Sequence, residues 1–362
     1  MSAPVSGLAD LARLAGVSVA TVSRALAGNP AIAAATRLRI VELARTHGFQ
    51  INQAARNLRL KRTGAIGVIL PLGHEADQHL SDPFFMSLLG PLADAVAERG
   101  HDLLLSRVIP KDDRWLDAIV DGGRVDGVIV IGQSNQTGAI ERVALRYRPM
   151  VVWGAAQPGL KQLTVGSDNA AGGHLAAAHL LAGGRKRLAY FGNPDVPEFA
   201  ARYAGFCAAV AVAGAAGTLF PVHLTSEASY AAIGDFLDSN PPPDGIVAAS
   251  DVIAMSTLRA LADRKKRVPH DVGVVGYDGV VIAMHTTPPL TTIRQDVVRG
   301  AATLVELLFR RIDGDDPESV SMLPELVRRG YSAGEIAALW GGNFLRLLRR
   351  AEDVAEARAD AA

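Results

Sequence analysis

Residues 16–28 read GVSVATVSRALAG, and the groups in this stretch able to do chemistry are one guanidinium, Arg24, and three short hydroxyls, Ser18, Thr21 and Ser23. Such groups suit a nucleic acid: arginine can fork onto the O6 and N7 of guanine, and hydroxyls donate to phosphate oxygens. The charge around them fits. Residues 1–62 hold nine Arg or Lys against Asp10 and Glu42, so this segment is +7 in a chain of zero formal net charge and the remainder is −7. A basic segment on an acidic body is expected to meet a polyanion. The alternative is an ordinary solvated helical surface.

Catalytic spacings do not appear. There is no GxxxxGK[ST] phosphate loop and no GxSxG nucleophile elbow. The stretch GVVGYDG at 273–279 has its glycines at the wrong intervals for a dinucleotide fingerprint. In HEADQH, His74 and His79 are five residues apart, as are His174 and His179, whereas zinc-binding pairs on one helix face lie four apart. Cys207 is the single cysteine, which excludes an internal disulfide and a site built on several thiolates. Enzymatic activity, a metal and a cofactor are therefore not expected. With 49% hydrophobic and 20% charged residues, no leader-like start and no long apolar run, the expectation is a cytoplasmic globular protein without a membrane partner.

These side chains need elements to position them. Leu8, Leu11, Ala12 and Ala15 recur at helical spacing up to Gly16, and Ser18 suits the N-cap of a second helix running from about Val19 to Leu26. Gly28 and Pro30 stop it. A third helix spans about Ala34 to His47, with Ile40, Val41, Leu43 and Ala44 inward and Gly48 at its end. Two helices joined by a tight Gly-Val-Ser turn, with a third closing the core, make a helix-turn-helix domain. From Ala65 onward, short β-branched runs (AIGVIL, HDLLLSRV, DGVIVIG, MVVWG, RLAYFG, GIVAAS, VGVVGYD) alternate with helical stretches at 84–98, 113–121 and 137–146. That alternation predicts right-handed βαβ units and parallel sheets, and its length predicts two doubly wound subdomains.

The stretch DLARLAGVSVATVSRALAG resembles the helix-turn-helix of the lactose-repressor (LacI/GalR) family of transcription regulators. The likeness continues in family order through TRLRIVELARTHGF, INQAARNLRLKRTGAIGVILP, DPFF, ARYAGF, ASDVIAMSTLRAL, VGVVGYDG, PPLTTIRQD and LPELVRRG, covering about residues 7–330. It implies an all-α helix-turn-helix domain (1–50), a hinge helix (51–63) and a periplasmic-binding-protein-like α/β core (64–330). Within that core the first subdomain takes 64–165 and 293–322, and the second 166–292 and 323–330. The function implied is a homodimeric or tetrameric repressor of near-palindromic operator DNA controlled by a small-molecule effector.

On the reading helix, Val22 and Leu26 are expected to pack while Val19, Ala20, Thr21, Ser23 and Arg24 face outward. The resemblance puts Val19 and Ala20 at the positions that set half-site preference. Thr21, Ser23 and Asn29 suit phosphate. In the hinge the resemblance assigns Leu58 as a minor-groove wedge flanked by Arg56, Arg59, Lys61 and Arg62; otherwise Leu58 is a linker residue packed on the core. In the core, Arg202 and Asp278 occupy the polar effector positions, and Phe84 or Phe85 and Trp153 offer an aromatic face, a set suited to a sugar or sugar acid. Taken singly, each of these is equally well a structural ion pair or a core aromatic.

The sequence departs from the family pattern at Ser250, where Asn is common before Asp, at Gly279, where an acid is common, and at Ala33, where the lost hydroxyl cap costs about 1 kcal/mol. Residues 331–362 run beyond the usual family end. EIAALWGGNFLRLLRRAE there is similar to the final helices of membrane-dipeptidase-type zinc peptidases, without that family's metal ligands, so no catalysis is implied. An amphipathic tail that packs or drives oligomerisation is expected, the other reading being a disordered or fused remnant.

Overall fold

The computed structural model describes residues 7–49, 62–72, 78–133, 135–156 and 159–329. The chain divides into two compact units, Met1–Gly64 and Ala65–Ala362. In the first, α1 (Leu8–Ala15), α2 (Val19–Leu26) and α3 (Ala34–Thr46) bury Leu11, Ala12, Ala15, Val22, Ala25, Ile40 and Ala44 in one core. Gly16 ends α1 at φ 63°, a left-handed conformation that glycine adopts without a Cβ penalty. That turn brings Ser18 to the head of α2, where its Oγ accepts the Thr21 backbone N–H at 3.1 Å. Arg39 of α3 donates to the Ala15 carbonyl at 2.8 Å, tying the third helix to the end of the first.

One inward assignment is corrected. Val41 is 46% exposed, because Ile40, Leu43 and Ala44 already point at the core and Val41 lies about 100° around the helix from Ile40. On α2 Val22 and Ala25 are buried, and Leu26, half-buried, packs against the same core as its spacing predicts. Ala33 makes no side-chain cap to α3.

The second unit contains two six-stranded sheets. The first has the order β11-β5-β4-β3-β1-β2, from β1 (Ala65–Pro71), β2 (Asp102–Val108), β3 (Gly127–Ile131), β4 (Met150–Trp153), β5 (Leu163–Ser167) and β11 (Val320–Met322). The second has the order β12-β10-β9-β8-β6-β7, from β6 (Arg187–Phe191), β7 (Ala216–Phe220), β8 (Gly245–Ala248), β9 (Gly273–Asp278), β10 (Thr291–Arg294) and β12 (Glu325–Val327). All pairings are parallel except β10 with β12, which is antiparallel. The central strands β1, β3 and β8 are buried almost throughout, which is why they read as continuous Val/Ile runs rather than alternating ones.

In the first subdomain the helices are α4 (Pro83–Glu98), α5 (Trp115–Val120) and α6 (Thr137–Ala144); in the second, α7 (Asn169–Ala182), α8 (Pro197–Ala213), α9 (Ser226–Ser239) and α10 (Asp251–Asp263). A last helix, α11 (Val297–Ile312), returns to the first sheet and buries Leu304, Leu307 and Leu308 among residues of β1, β3 and β4. The subdomain borders differ from those read in the sequence. Ser167 still pairs with Met322 in the first sheet. Thr291–Arg294 pair with Val275–Asp278, so the return begins after residue 294, not at 293. Backbone hydrogen bonding, invisible in side-chain pattern, decides membership.

Helices α7 and α8 pack backbone to backbone. A Cβ on Gly173 would lie 1.9 Å from the Arg202 carbonyl, and one on Gly205 would lie 1.9 Å from the Ala170 carbonyl. Neither neighbour is a flexible side chain that can yield. Gly205→Ala is therefore expected to destabilise the protein by roughly 1–3 kcal/mol through forced separation of the helices. A lowered midpoint in urea unfolding checks this; an unchanged one would show that the pair tolerates a wider spacing.

Candidate functional site

In the helix-turn-helix unit the outer face of α2 carries Val19, Ala20 and Arg24 exposed, with Thr21 and Ser23 half-buried beside them. Thr21 and Ser18 share a hydrogen bond at 2.9 Å. Asn29 accepts the Ala31 N–H at 2.9 Å and so closes the turn after α2. Both acids of the unit are committed: Asp10 to Arg13 at 2.5 Å and Glu42 to Arg45 at 2.7 Å. The excess positive charge therefore falls to the other arginines, of which Arg24 stands on the reading face. Arg56 and Leu58, with hinge residues 51–61, lie outside the described residues, as does the tail 331–362.

The core unit holds a cavity of about 780 Å³, including its opening, between the two sheets. Phe84, Phe85, Trp153, Arg202, Ser250 and Asp278 all line it. They come from strand C-terminal ends and the helix starts that follow, where sheets of this kind leave a crevice. From the first subdomain, Asp82 caps α4 by accepting the Phe84 N–H at 2.9 Å, which sets the first turn against the cavity. Phe84 packs at 6.1 Å from Trp153 at the end of β4, and Gly300 leaves room for that indole: a Cβ there would sit 2.3 Å from the ring.

From the second subdomain, Arg202 of α8 is buried with its Nε donating to Asn169 Oδ1 at 2.8 Å and Nη1 to the Ala249 carbonyl. Its guanidinium carbon lies 3.6 Å from the centre of the Tyr277 ring and Nη1 is 3.7 Å from Asp278 Oδ1. Asp278, at the end of β9, has φ 112°, a conformation rarely held by a residue with a side chain and here enforced by its surroundings. Gln295 Nε2 donates to its carboxylate at 2.9 Å. Ser250 caps α10 by accepting the Ile253 N–H at 3.2 Å. The six residues assigned from the sequence thus stand together, and Trp153 and Phe85 serve the core and the cavity wall at once.

Sequence reading missed two acids in this wall, Asp82 and Glu198. Glu198 lies one helical turn before Arg202, a spacing that puts both on one face and was the available signal. Burial pushes Asp82, Glu198 and Asp278 above the usual carboxylate range, Arg202 opposing the rise at Glu198 and Asp278. Behind them, buried Asp251 accepts from Thr292 Oγ1 at 2.6 Å and from the Val280 N–H at 2.9 Å. Its pKa is nevertheless pushed up to about 6 by burial. No group of three metal-ligating side chains occurs among the described residues, and no helix among them is long and apolar enough to cross a membrane.

An exposed reading helix in one unit and a buried polar cleft in the other define a class: DNA-binding regulators with a small-molecule-binding core. A family model described as "Bacterial regulatory proteins, lacI family" matches residues 7–52, and one described as "Periplasmic binding protein-like domain" matches 177–330. The HTH-type transcriptional regulator CelR of Thermobifida fusca is 31% identical over 324 residues, covering 87% of this chain and 94% of that protein. The HTH-type transcriptional repressor PurR of Mannheimia succiniciproducens is 27% identical over 332 residues, covering 88% and 96%. A CelR–cellobiose complex superposes with a TM-score of 0.63 at 28% identity over 90% of this chain and 99% of that one. The fold is also that of the Lac repressor dimer bound to operator and an anti-inducer, with a TM-score of 0.77 at 23% identity over 90% and 98%. The chain belongs to the lacI family of bacterial regulatory proteins and is a DNA-binding transcription regulator, not an enzyme.

The buried acids have a pH consequence. An unfolded aspartate titrates near pH 4, so between about pH 4 and 6 the folded chain holds the extra proton at Asp251. This group's contribution to stability is therefore greatest in acid and falls as pH rises through about 6. Asp238 and Asp271, held low by Arg264 and Arg267, act oppositely and only below about pH 4. The stability difference between wild type and Asp251→Asn should fall by roughly 2–3 kcal/mol from pH 4 to 7. Urea unfolding at several pH values checks it, a constant difference being the contrary result.

Proposed function

We propose that the protein is a cytoplasmic homodimeric repressor that reads a near-palindromic operator and whose grip on DNA is set by a carbohydrate bound in the core cavity. The observation that carries the effector half is the buried Arg202–Asp278 pair facing Phe84 and Trp153 across one cleft. An aromatic wall covers the C–H face of a sugar while convergent polar groups bind its hydroxyls. Relatives named or described with cellobiose and ribose support the class.

For DNA, Arg24 is the base reader, Val19 and Ala20 contact base edges or thymine methyls, and Ser18, Thr21, Ser23 and Asn29 serve the phosphates. Arg56 and Leu58 add the hinge contact to the minor groove. The two-fold pairing is supported by Val281, Ile282 and Met284, three apolar side chains exposed on one short 3₁₀ segment, which a second copy would cover. The effector shifts the balance between core conformations that fit and misfit the operator.

Arg24→Ala is expected to weaken binding to the preferred operator by about 1–3 kcal/mol and to relax preference at one base pair, with little change on unrelated DNA. Fluorescence anisotropy with specific and scrambled duplexes at several salt concentrations measures both. An equal loss on both duplexes would make Arg24 a phosphate contact. In the core, a carbohydrate at about 100 times its Kd should add about 2.7 kcal/mol of apparent stability, and Arg202→Ala should abolish that gain while leaving operator affinity intact.

A further inference from the structure

The cavity is acidic beyond what the protein itself uses. Among the described residues lining it, Asp82, Glu198 and Asp278 carry carboxyl groups and Arg202 is the single cation. Arg202 is spent: it lies beside Asp278, on the Tyr277 ring, and donates to Asn169 and the Ala249 carbonyl. Asp82 is spent as well, one oxygen accepting the Phe84 N–H and the other Gln78 Nε2 at 3.1 Å. Glu198 differs. It sits in the first turn of α8, its carboxyl faces its own backbone N–H and that of Gln133 in the opposite subdomain, and its Oε1 is closed off from solvent with no hydrogen-bond partner. Ser167 Oγ, also on the wall, is likewise buried and unpartnered.

A buried acceptor without a donor costs free energy that a ligand can recover, and a carboxylate recovers most from a hydroxyl or ammonium donor. An anionic ligand does the opposite, bringing a like charge into a desolvated space whose one cation among the described residues is already paired. We propose that Glu198 is the specificity-determining residue of the cavity, accepting a hydrogen bond from a hydroxyl or ammonium group of the effector and excluding acidic sugars. The effector is then a neutral or aminated carbohydrate. This deepens the carbohydrate reading above and rests on it.

The test uses the full-length protein and matched sets of one ring in three charge states: glucose, glucosamine and glucuronate; galactose, galactosamine and galacturonate; with cellobiose and ribose alongside. Thermal shift finds the sets that bind and calorimetry gives their affinities. Within a binding set, the neutral or amino member should bind wild type at least about tenfold more tightly than the uronate, the size of one charge-assisted hydrogen bond. Glu198→Gln, which keeps the shape and removes the charge, should narrow that ratio by about tenfold by admitting the uronate. A uronate that binds wild type as tightly as its neutral partner, or a ratio unmoved in Glu198→Gln, overturns the proposal.

If no carbohydrate of any charge binds, the carbohydrate reading itself fails, and a ligand-free measurement still judges Glu198. Replacing an acceptor that awaits a ligand by an apolar side chain of similar length, Glu198→Met, should raise the unfolding midpoint of the ligand-free protein. An unchanged or lowered midpoint would show that Glu198 serves as a structural bridge to Gln133, and would overturn the assignment.

Discussion

A guanidinium held away from water is the constraint around which the effector-binding core is arranged. Arg202 is 5% exposed, and a cation so placed is stable only if its donors and charge are answered locally. The answers come from three separate segments: Asn169 at the head of α7, the Ala249 carbonyl after β8, and Tyr277 with Asp278 at the end of β9. Their convergence depends on the close approach of α7 and α8, which the glycines at 173 and 205 permit. Removing the cation would leave Asp278 buried without its counter-charge, so the pair and its supports form one unit.

The same geometry explains how a binding cleft arises from two halves that each have their own hydrophobic core. Each sheet is stabilised by its own cluster of apolar residues, and each directs its strand C-termini toward the shared cavity. The first half supplies mainly aromatic wall, Phe84 and Trp153; the second supplies mainly polar groups, Arg202, Ser250 and Asp278. A molecule bound between them touches both, so its binding free energy is linked to their relative setting. Because the chain crosses between the halves near residues 168, 295 and 323, a change in that setting has few covalent joints to pass through.

The helix-turn-helix unit works with a different economy. Its core of seven buried residues is small, and four of those are alanine. The unit relies on turn chemistry to fix its helices: a left-handed glycine after α1, a serine cap on α2 and an arginine bridging α3 to α1. Its two acids are consumed by local pairs with Arg13 and Arg45. The positive field that reaches a polyanion is thus concentrated on residues that the fold does not need internally.

The sequence alone determined the elements, their alternation and the family to which they belong. Local rules suffice there: Ser18 and Gly16 mark helix ends wherever they occur, and a Val/Ile run between loops becomes a buried strand through burial alone. The six cavity residues were reached through motifs in family order, since nothing in the residue types separates a binding arginine from a structural one. Tertiary structure decided what depends on distant neighbours. It assigned Thr291–Arg294 to the second sheet by ladder pairing, turned Val41 outward because Ile40 already filled the core, and brought Asp82 and Glu198 into one wall from segments over a hundred residues apart. A carboxyl's protonation and unmet hydrogen bonds are set by the burial and donors around it, which exist only once the chain has folded.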